Sequence, residues 1–250
     1  MGNVEKTLVI TDGGPASLLA CWAEGVCRPA SGEDSSARLA ATREGVVAWA
    51  APRLSAPALA AIDRAAEVCH LTRVLHDARV VADDSVRAEL PGKLRTGLAA
   101  SELLLSACID ALRRNIHRVV WPVQLGGPNI PTDHIEVDEL DLVSDAFDRA
   151  LLCSRLLAID AGPRGLLIET PYIDFTDAQV MDLAADLDAP VNLAWWCRAG
   201  QSPEAGPCGR CPECLRWSQA MLEAGLHSAH ELEIRVLRAG SNDASKLARS

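Results

Sequence analysis

Four cysteines in the last quarter of the chain constrain its fold more than any other feature. Cys208, Cys211 and Cys214 follow the spacing C-x2-C-x2-C, with a glycine and a proline in the gaps, and Cys197 lies upstream. Short turns of this kind can point several sulfurs at one centre, and four thiolates suit tetrahedral Zn²⁺. Core cysteines or a redox pair are the alternatives. The spacing predicts a closed, structural zinc site.

The composition limits the class of protein. The 250 residues are 49% hydrophobic, which suffices for one large core, and they carry a formal net charge of −10. Such acidity disfavours an extended nucleic-acid surface. The opening MGNVEKTLVI lacks the pattern of a signal peptide, and no apolar run is long enough to span a bilayer. Nine cysteines also fit a reducing compartment, so we expect a cytoplasmic protein without membrane contact.

Strand-like and helix-like segments alternate along most of the chain. Short apolar runs predict strands at residues 6–11, 45–49, 75–81, 119–124 and 166–168. Helical spacing predicts helices between these strands, one of them capped by Thr176. Such alternation is typical of an α/β fold with a parallel sheet and helices on both faces. We expect this domain to span residues 1–190, followed by a zinc knuckle in a C-terminal segment at residues 191–238 that packs on it, and by a flexible tail at residues 239–250.

A glycine-rich turn follows the first predicted strand. Asp12, Gly13 and Gly14 stand between that strand and a helix that contains Ser17. Ligands of open parallel sheets bind at the carboxyl ends of the strands, and glycines there let an anion approach the N–H groups of a helix. We therefore expect this turn to face a cleft. A tight turn without a ligand is the alternative.

Three segments carry a family resemblance. They are IETPYIDFTDAQVMDLAADLDAPVNLAWWC from Ile168, PCGRCPECLRW with the arginine Arg216, and LPGKLRTG at residues 90–97. In chain order, they resemble the 7-cyano-7-deazaguanine synthase (QueC-like) family of the PP-loop ATP pyrophosphatase superfamily. The resemblance covers roughly residues 5–225. It implies an adenine nucleotide alpha hydrolase-like, Rossmann-like fold, with residues 1–190 as a PP-loop-like nucleotide-binding domain.

The resemblance also implies a reaction and its cofactors. Family members convert 7-carboxy-7-deazaguanine with ammonia into the nitrile, at the expense of ATP. The expected cofactors are structural Zn²⁺, with ATP and Mg²⁺ if the chain is active, and the expected partner is a small 7-deazapurine substrate. A homodimer is compatible with the resemblance. Gly13, Gly14 and Ser17 would bind pyrophosphate, Lys93 would contact phosphate, and Arg53 would contact phosphate or carboxylate. A solvated basic loop is the alternative for Lys93 and Arg95, and no catalytic residue is assigned.

The chain departs from the family pattern where the chemistry would occur. The family's phosphate loop reads SGGxDS, whereas here Asp12 replaces the first serine and Ala16 replaces the acid. A carboxylate about 4 Å from a phosphate costs about 4 kcal/mol at an effective dielectric near 20. Asp177 stands where the family has a lysine. We therefore expect impaired ATP turnover. The alternatives are a degenerate, zinc-stabilised binding or partner subunit, or a PP-loop enzyme with another small acceptor.

Other residues allow two interpretations. Trp195 and Trp196 could stack a purine-like base or pack around the metal. Asp133 and His134 could form an acid/base pair or be incidental loop residues. Glu169 could bind the N–H edge of a purine or cap a turn.

Overall fold

Parallel strands form the centre of the protein. The structure is a computed structural model that describes residues 7–27, 45–51, 54–69, 71–75, 92–124, 137–199 and 206–226. Within these ranges the strands are β1 (Thr7–Thr11), β2 (Val46–Ala50), β3 (Thr72–Leu75), β4 (Arg118–Val120) and β5 (Leu167–Glu169). The helices are α1 (Pro15–Trp22), α2 (Ala56–Val68), α3 (Gly92–Arg113), α4 (Val137–Leu156), α5 (Ala158–Ala161), α6 (Asp177–Asp186) and α7 (Pro212–Glu223).

The strand order β3-β2-β1-β4-β5 places β1 at the centre of the sheet, and every pairing is parallel. Thr7 of β1 lies opposite Val46 of β2 on one side and Arg118 of β4 on the other. All five residues of β1 are buried. The predicted α/β fold with a parallel sheet is confirmed.

Each face of the sheet has its own core. Leu8 and Ile10 of β1 point to the cluster that contains the inner faces of α3 and α4, whereas Val9 points to the cluster that contains α1, α6 and α7. This alternation follows from the two-residue period of a strand. Because helices cover both faces, β1 contains apolar residues on both of its sides.

Local sequence signals set where helices begin. The hydroxyl oxygen of Ser55 accepts a hydrogen bond from the N–H of Ala58 at the start of α2, at 3.3 Å. At the start of α6, Thr176 and Gln179 form a capping box, in which each side chain accepts the other residue's backbone N–H. The predicted cap at Thr176 is confirmed. The capping box thus fixes the residue at which helix α6 begins.

Some predicted boundaries are wrong. Strand β3 begins at Thr72, earlier than predicted, because it pairs with β2 from Val47 onwards. Residues 76–81 of that prediction, residues 227–238 of the C-terminal segment and the tail at 239–250 lie outside the described residues. Helix α3 runs from Gly92 to Arg113. Among the described helices, none combines the length and apolarity needed to cross a membrane.

Candidate functional site

The glycine turn lies at the carboxyl end of β1, as predicted, and lines a cavity. Gly13 has a φ of 84°, and a Cβ at this position would lie 2.8 Å from the carbonyl oxygen of Ala58. Both facts require glycine here. The carbonyl oxygen of Gly13 accepts a hydrogen bond of 2.7 Å from the backbone N–H of Trp195. The turn is therefore packed against α2 and tied to the segment that leads to the cysteines.

Asp12 folds its carboxylate back onto this turn. Its Oδ1 atom accepts the backbone N–H of Gly14 at 2.9 Å and the hydroxyl of Ser17 at 2.9 Å. Gly14 is the residue that precedes the first turn of α1. These donors are the groups that the sequence analysis assigned to pyrophosphate. In this structure a carboxylate of the chain itself binds them, and its negative charge lies at the positive end of α1.

The cavity beside the turn has a volume of about 700 Å³. This volume is within the usual range for small-molecule sites, which is roughly 300–1,000 Å³. Asp12, Gly14 and Ser17 form one wall, and Gln124 lies at another. Aromatic side chains supply much of the remaining wall: Trp121, Trp195, Trp196 and Trp217. The cavity can accommodate a planar, purine-sized group.

The arginines that line this cavity are paired with carboxylates. Arg198 forms a salt bridge of 2.7 Å with Glu213, and Arg216 forms one with Asp177. Asp12 has no cationic partner among the described residues; its hydrogen-bond donors are a backbone N–H and a hydroxyl. The described lining thus carries two carboxylates and two arginines, and because both arginines are already paired, neither offers an unpaired positive charge to a triphosphate.

Asp177 lies at the first position of α6 and is 2% exposed. Both of its oxygens accept hydrogen bonds from Arg216, and Oδ1 also accepts one from the side-chain N–H of Gln124 at 2.7 Å. The hydrogen bond to Asp177 raises the pKa of Arg216, although partial burial opposes this shift. Asp177 was expected to present a negative charge to a nucleotide. Its main effect is instead to neutralise Arg216, which lines the cavity and stacks 5.4 Å from the centre of the Trp217 ring.

The four predicted cysteine ligands converge on one point. The sulfurs of Cys197, Cys208, Cys211 and Cys214 all lie within 4.8 Å of one another. The Sγ atoms of Cys208 and Cys214 are 3.9 Å apart. A tetrahedral site with Zn–S bonds of about 2.3 Å requires sulfurs about 3.8 Å apart. The cluster can therefore hold a metal ion of this kind.

Hydrogen bonds favour the thiolate form at two of these sulfurs, whereas burial raises the pKa of the Cys214 thiol. The N–H of Cys208 donates to the sulfur of Cys197, and the N–H of Cys211 donates to the sulfur of Cys208, each at 3.3 Å. Backbone hydrogen bonds from Arg210 and Cys211 lower the pKa of Cys208. Burial raises the pKa of Cys211, but hydrogen bonds outweigh burial and bring this pKa to about 6. Thiolate character is what a metal requires.

The tryptophan pair belongs partly to the core. Trp195 is 6% exposed, packs with Cys197 and Cys214, and donates its indole N–H to the carbonyl oxygen of Cys197 at 2.8 Å. Trp196 packs against several core clusters, and both rings line the cavity. The interpretation as packing around the cysteines is supported, and the two rings also form a cavity wall.

Glu169 has neither of its expected roles. Its carboxylate binds Arg118, with Oε1 accepting the Nε–H of Arg118 at 3.0 Å. Arg118 also donates to both oxygens of Glu24, at 2.6 and 2.8 Å, and to the hydroxyl of Thr7. Burial lowers the pKa of Arg118, but its hydrogen bonds to Glu24 and Glu169 raise it above its ordinary value. Glu169 is a partner in a structural ion-pair network.

Several predicted residues could not be placed in the site. Arg53, Asp133 and His134 lie outside the described residues. Lys93 and Arg95 belong to α3, but only their backbone is described. Conversely, the sequence analysis missed several residues that line the cavity, among them the polar residues Gln124, Arg198 and Glu213. The position of Arg198 directly after Cys197, and of Glu213 between two cysteines, could have indicated both, because the metal site fixes their backbone.

The fold and the site define a PP-loop-like α/β protein. The parallel sheet has a glycine turn after its central strand, and a cavity lies at the carboxyl ends of the strands. A four-cysteine cluster lies beside this cavity. The family model for "Queuosine biosynthesis protein QueC" matches residues 146–225, which include α6, the cysteines and α7. The chain is therefore related to the QueC-like proteins, and the predicted resemblance is confirmed.

Individual relatives agree with this assignment. The chain is 34% identical over 126 residues to a 7-cyano-7-deazaguanine synthase of Chlorobaculum parvum. This alignment covers 47% of the chain and 51% of the relative. It is 32% identical over 89 residues to a protein of the same name from Methanosarcina barkeri. That alignment covers 36% of the chain and 34% of the relative. The chain thus spans about half or less of the length of these relatives.

Proposed function

We propose that the chain is a 7-cyano-7-deazaguanine synthase-like protein of queuosine biosynthesis, in which ATP turnover is strongly impaired. On this proposal it binds a small 7-deazapurine in the cavity, and it acts in the cytoplasm, where its free cysteines stay reduced. The family match over the cysteine segment and the purine-sized cavity support the substrate class. ATP and Mg²⁺ would be the cofactors of whatever activity remains.

The hydrogen bonds of Asp12 carry the proposal of impaired turnover. A nucleotide phosphate can reach the N–H of Gly14 and the hydroxyl of Ser17 only if it displaces the Asp12 carboxylate, which it also repels. Ala16 offers no acid that could bind Mg²⁺ within the same turn. Loss of one electrostatic group in a catalytic site typically lowers the rate by roughly 10²–10³-fold. The changes at Asp12, Ala16 and Asp177 all act in this direction.

Structural Zn²⁺ is part of the proposal. The sulfurs of Cys197, Cys208, Cys211 and Cys214 fit a closed tetrahedral site, because all four ligands come from the chain and leave no position for water. When bound, the metal would hold the turn before α7 in place. Two cavity residues, Arg198 and Glu213, are neighbours of the cysteines, so the metal would also fix one wall of the cavity.

The test is incubation with ATP, Mg²⁺, ammonium and 7-carboxy-7-deazaguanine, with mass spectrometry of the nitrile and measurement of AMP. We expect little or no product from the native chain. The combined variant Asp12→Ser, Ala16→Asp, Asp177→Lys should increase AMP release, because it restores the family pattern. Product formation by the native chain at about 1 s⁻¹, an ordinary enzymatic rate, would overturn the proposal of impairment.

A second candidate is a degenerate, zinc-stabilised binding or partner subunit. The pairing of Arg216 with Asp177 and of Arg198 with Glu213 favours this candidate, because it leaves the lining arginines without free charge for a phosphate. The same experiment separates the two candidates. If the combined variant folds and still binds no ATP in calorimetry, the subunit function is supported and the synthase function is not.

A further inference from the structure

A buried carboxylate joins two polar side chains that line the cavity. Asp177 is 2% exposed and is not among the described lining residues, whereas Gln124 and Arg216 both are. The Oδ1 atom of Asp177 accepts hydrogen bonds from side-chain N–H groups of Gln124 and of Arg216, and its Oδ2 atom accepts the Nε–H of Arg216. One oxygen atom therefore holds Gln124 and Arg216 next to each other, although they come from distant parts of the chain.

The hydrogen bonds of Gln124 fix which end of its amide is free. Its Nε2 atom donates to Oδ1 of Asp177 at 2.7 Å and to the carbonyl oxygen of Phe175 at 3.2 Å. A carboxylate and a carbonyl group can only accept, so the amide cannot be turned over, and both of its N–H bonds are used. Its Oε1 atom has no donor among the described residues and is not one of their buried unpartnered atoms. Gln124 therefore offers a hydrogen-bond acceptor to the cavity.

Arg216 offers the complementary group. Asp177 accepts its Nε–H and one N–H of Nη2, and the remaining N–H bonds of the guanidinium have no acceptor within the described ranges. The ion pair with Asp177 neutralises the charge, and the Trp217 ring, whose centre lies 5.4 Å from the guanidinium carbon, supports the group. Arg216 is therefore suited to donate hydrogen bonds to a neutral acceptor rather than to bind an anion.

We propose that Gln124 and Arg216 recognise the lactam edge of the base that binds in this cavity, and that Asp177 positions them. A lactam places an N–H donor beside a carbonyl acceptor. The N–H would donate to Oε1 of Gln124, and the carbonyl oxygen would accept from Arg216, because Asp177 holds the two side chains side by side. This inference rests on the proposed function, in which the ligand is a 7-deazapurine, and it identifies the part of the ligand that determines specificity.

The edge contacts and the aromatic walls have different effects on binding. The walls consist largely of tryptophans: Trp121, Trp195, Trp196 and Trp217. Stacking on such rings favours any planar base and discriminates little between bases. Hydrogen bonds at the edge do discriminate, because a ligand that lacks the matching group leaves the polar groups of the site unpaired. We therefore expect the tryptophans to contribute affinity, and Gln124 and Arg216 to contribute specificity.

Two uncharged probes that differ at one ring nitrogen test the proposal. They are 7-deazaguanine and its analogue methylated at the lactam nitrogen. Calorimetry with the native chain should show about tenfold or more weaker binding of the methylated probe, because Oε1 of Gln124 then has no donor. Equal affinities would overturn this inference and leave the proposed substrate class intact. If neither probe binds, the substrate class of the proposed function fails, and the inference fails with it.

Gln124→Met separates the hydrogen bond from crowding. Methionine keeps the length of the side chain but lacks the acceptor, so 7-deazaguanine should bind about tenfold or more weaker and lose its advantage over the methylated probe. A preference caused by crowding of the methyl group would persist in this variant and would overturn the role of Gln124. Gln219→Met, at an exposed position of α7, is the matched control and should keep the native discrimination.

Asp177→Asn tests the positioning role. Its amide can donate to Oε1 of Gln124, so the Gln124 amide can turn over and present N–H bonds to the cavity instead of an acceptor. The discrimination between the probes should then fall severalfold, although both lining residues are retained. The combined variant that tests ATP turnover also lacks this carboxylate and should lose the discrimination whatever its effect on ATP. Native discrimination in an Asp177→Asn protein that circular dichroism shows to be folded would overturn the positioning role.

Discussion

At the scale of single residues, Asp12 decides what the glycine turn can bind. It lies at the N-terminal end of α1, where the backbone favours an anion, and its own carboxylate supplies that anion. The turn has a positive φ at Gly13, and the carboxylate of Asp12 accepts the hydrogen bonds of its donors. This side chain is the reason that we expect a low affinity for nucleotides.

Replacing Asp12 should restore part of this affinity. Asp12→Ser removes the charge and frees the N–H of Gly14, while the hydroxyl of Ser17 keeps the carbonyl oxygen of Gly14 as an acceptor at 3.0 Å. We expect the dissociation constant for ATP·Mg²⁺ to fall about tenfold or more, which corresponds to about 1.4 kcal/mol. Isothermal titration calorimetry measures the change. Asp12→Asn is the matched control, since its oxygen can keep the hydrogen bonds while the charge is lost, and it should give an intermediate affinity. Equal affinities for all three proteins would refute the role of Asp12.

At the scale of structural elements, the proposed zinc would stabilise the cysteine turn and the start of α7. We expect metal analysis to find one zinc per chain, and a chelator to lower the free energy of unfolding by several kcal/mol, because metal binding contributes to folding. Cys211→Ser should lose the zinc. Cys27→Ser, at an exposed cysteine outside the cluster, should retain it. Protein purified without chelator and found free of zinc would contradict this prediction.

Most strands and the cysteine ligands could be predicted from the sequence, but the physical reason is different for each. Strands β1 and β2 are short, buried apolar runs between turns, so their hydrophobicity alone marks them. The cysteine ligands follow from spacing, because a metal requires several sulfurs within a few residues. The pairing of Asp177 with Arg216 was not predictable, because the two residues are far apart in sequence and meet only when α6 packs on α7. The same holds for Glu169 and Arg118, which come from neighbouring strands.

At the scale of the whole molecule, several thiols are buried and lack charged partners that could stabilise a thiolate. Burial raises the pKa of Cys108 to about 12 and of Cys69 to about 11, and it also raises the pKa of Cys21. A thiol in the unfolded chain has a pKa of about 8.5. The folded state therefore holds protons that the unfolded state releases in mildly alkaline solution.

This difference predicts a loss of stability at high pH. The stabilisation is complete below a pH of about 8.5 and is lost as the pH rises towards the folded-state pKa values, because the unfolded chain then binds fewer protons. We expect the free energy of unfolding to fall by a few kcal/mol between about pH 8.5 and pH 10.5. Urea unfolding in the presence of reductant measures this slope. Cys108→Ala should make the slope shallower, and high salt should leave most of it unchanged; a stability independent of pH would contradict the prediction.

The hydrogen bond from the N–H of Trp195 to the carbonyl oxygen of Gly13 joins two ends of the described chain. During synthesis the glycine turn leaves the ribosome first, and its partner follows only after almost all of the sheet has emerged. Until then one wall of the cavity is missing and the carbonyl group of Gly13 faces water. The described wall of the cavity around Trp195 is thus completed only after the sheet has been made, and metal capture by the nearby cysteines would coincide with its closure.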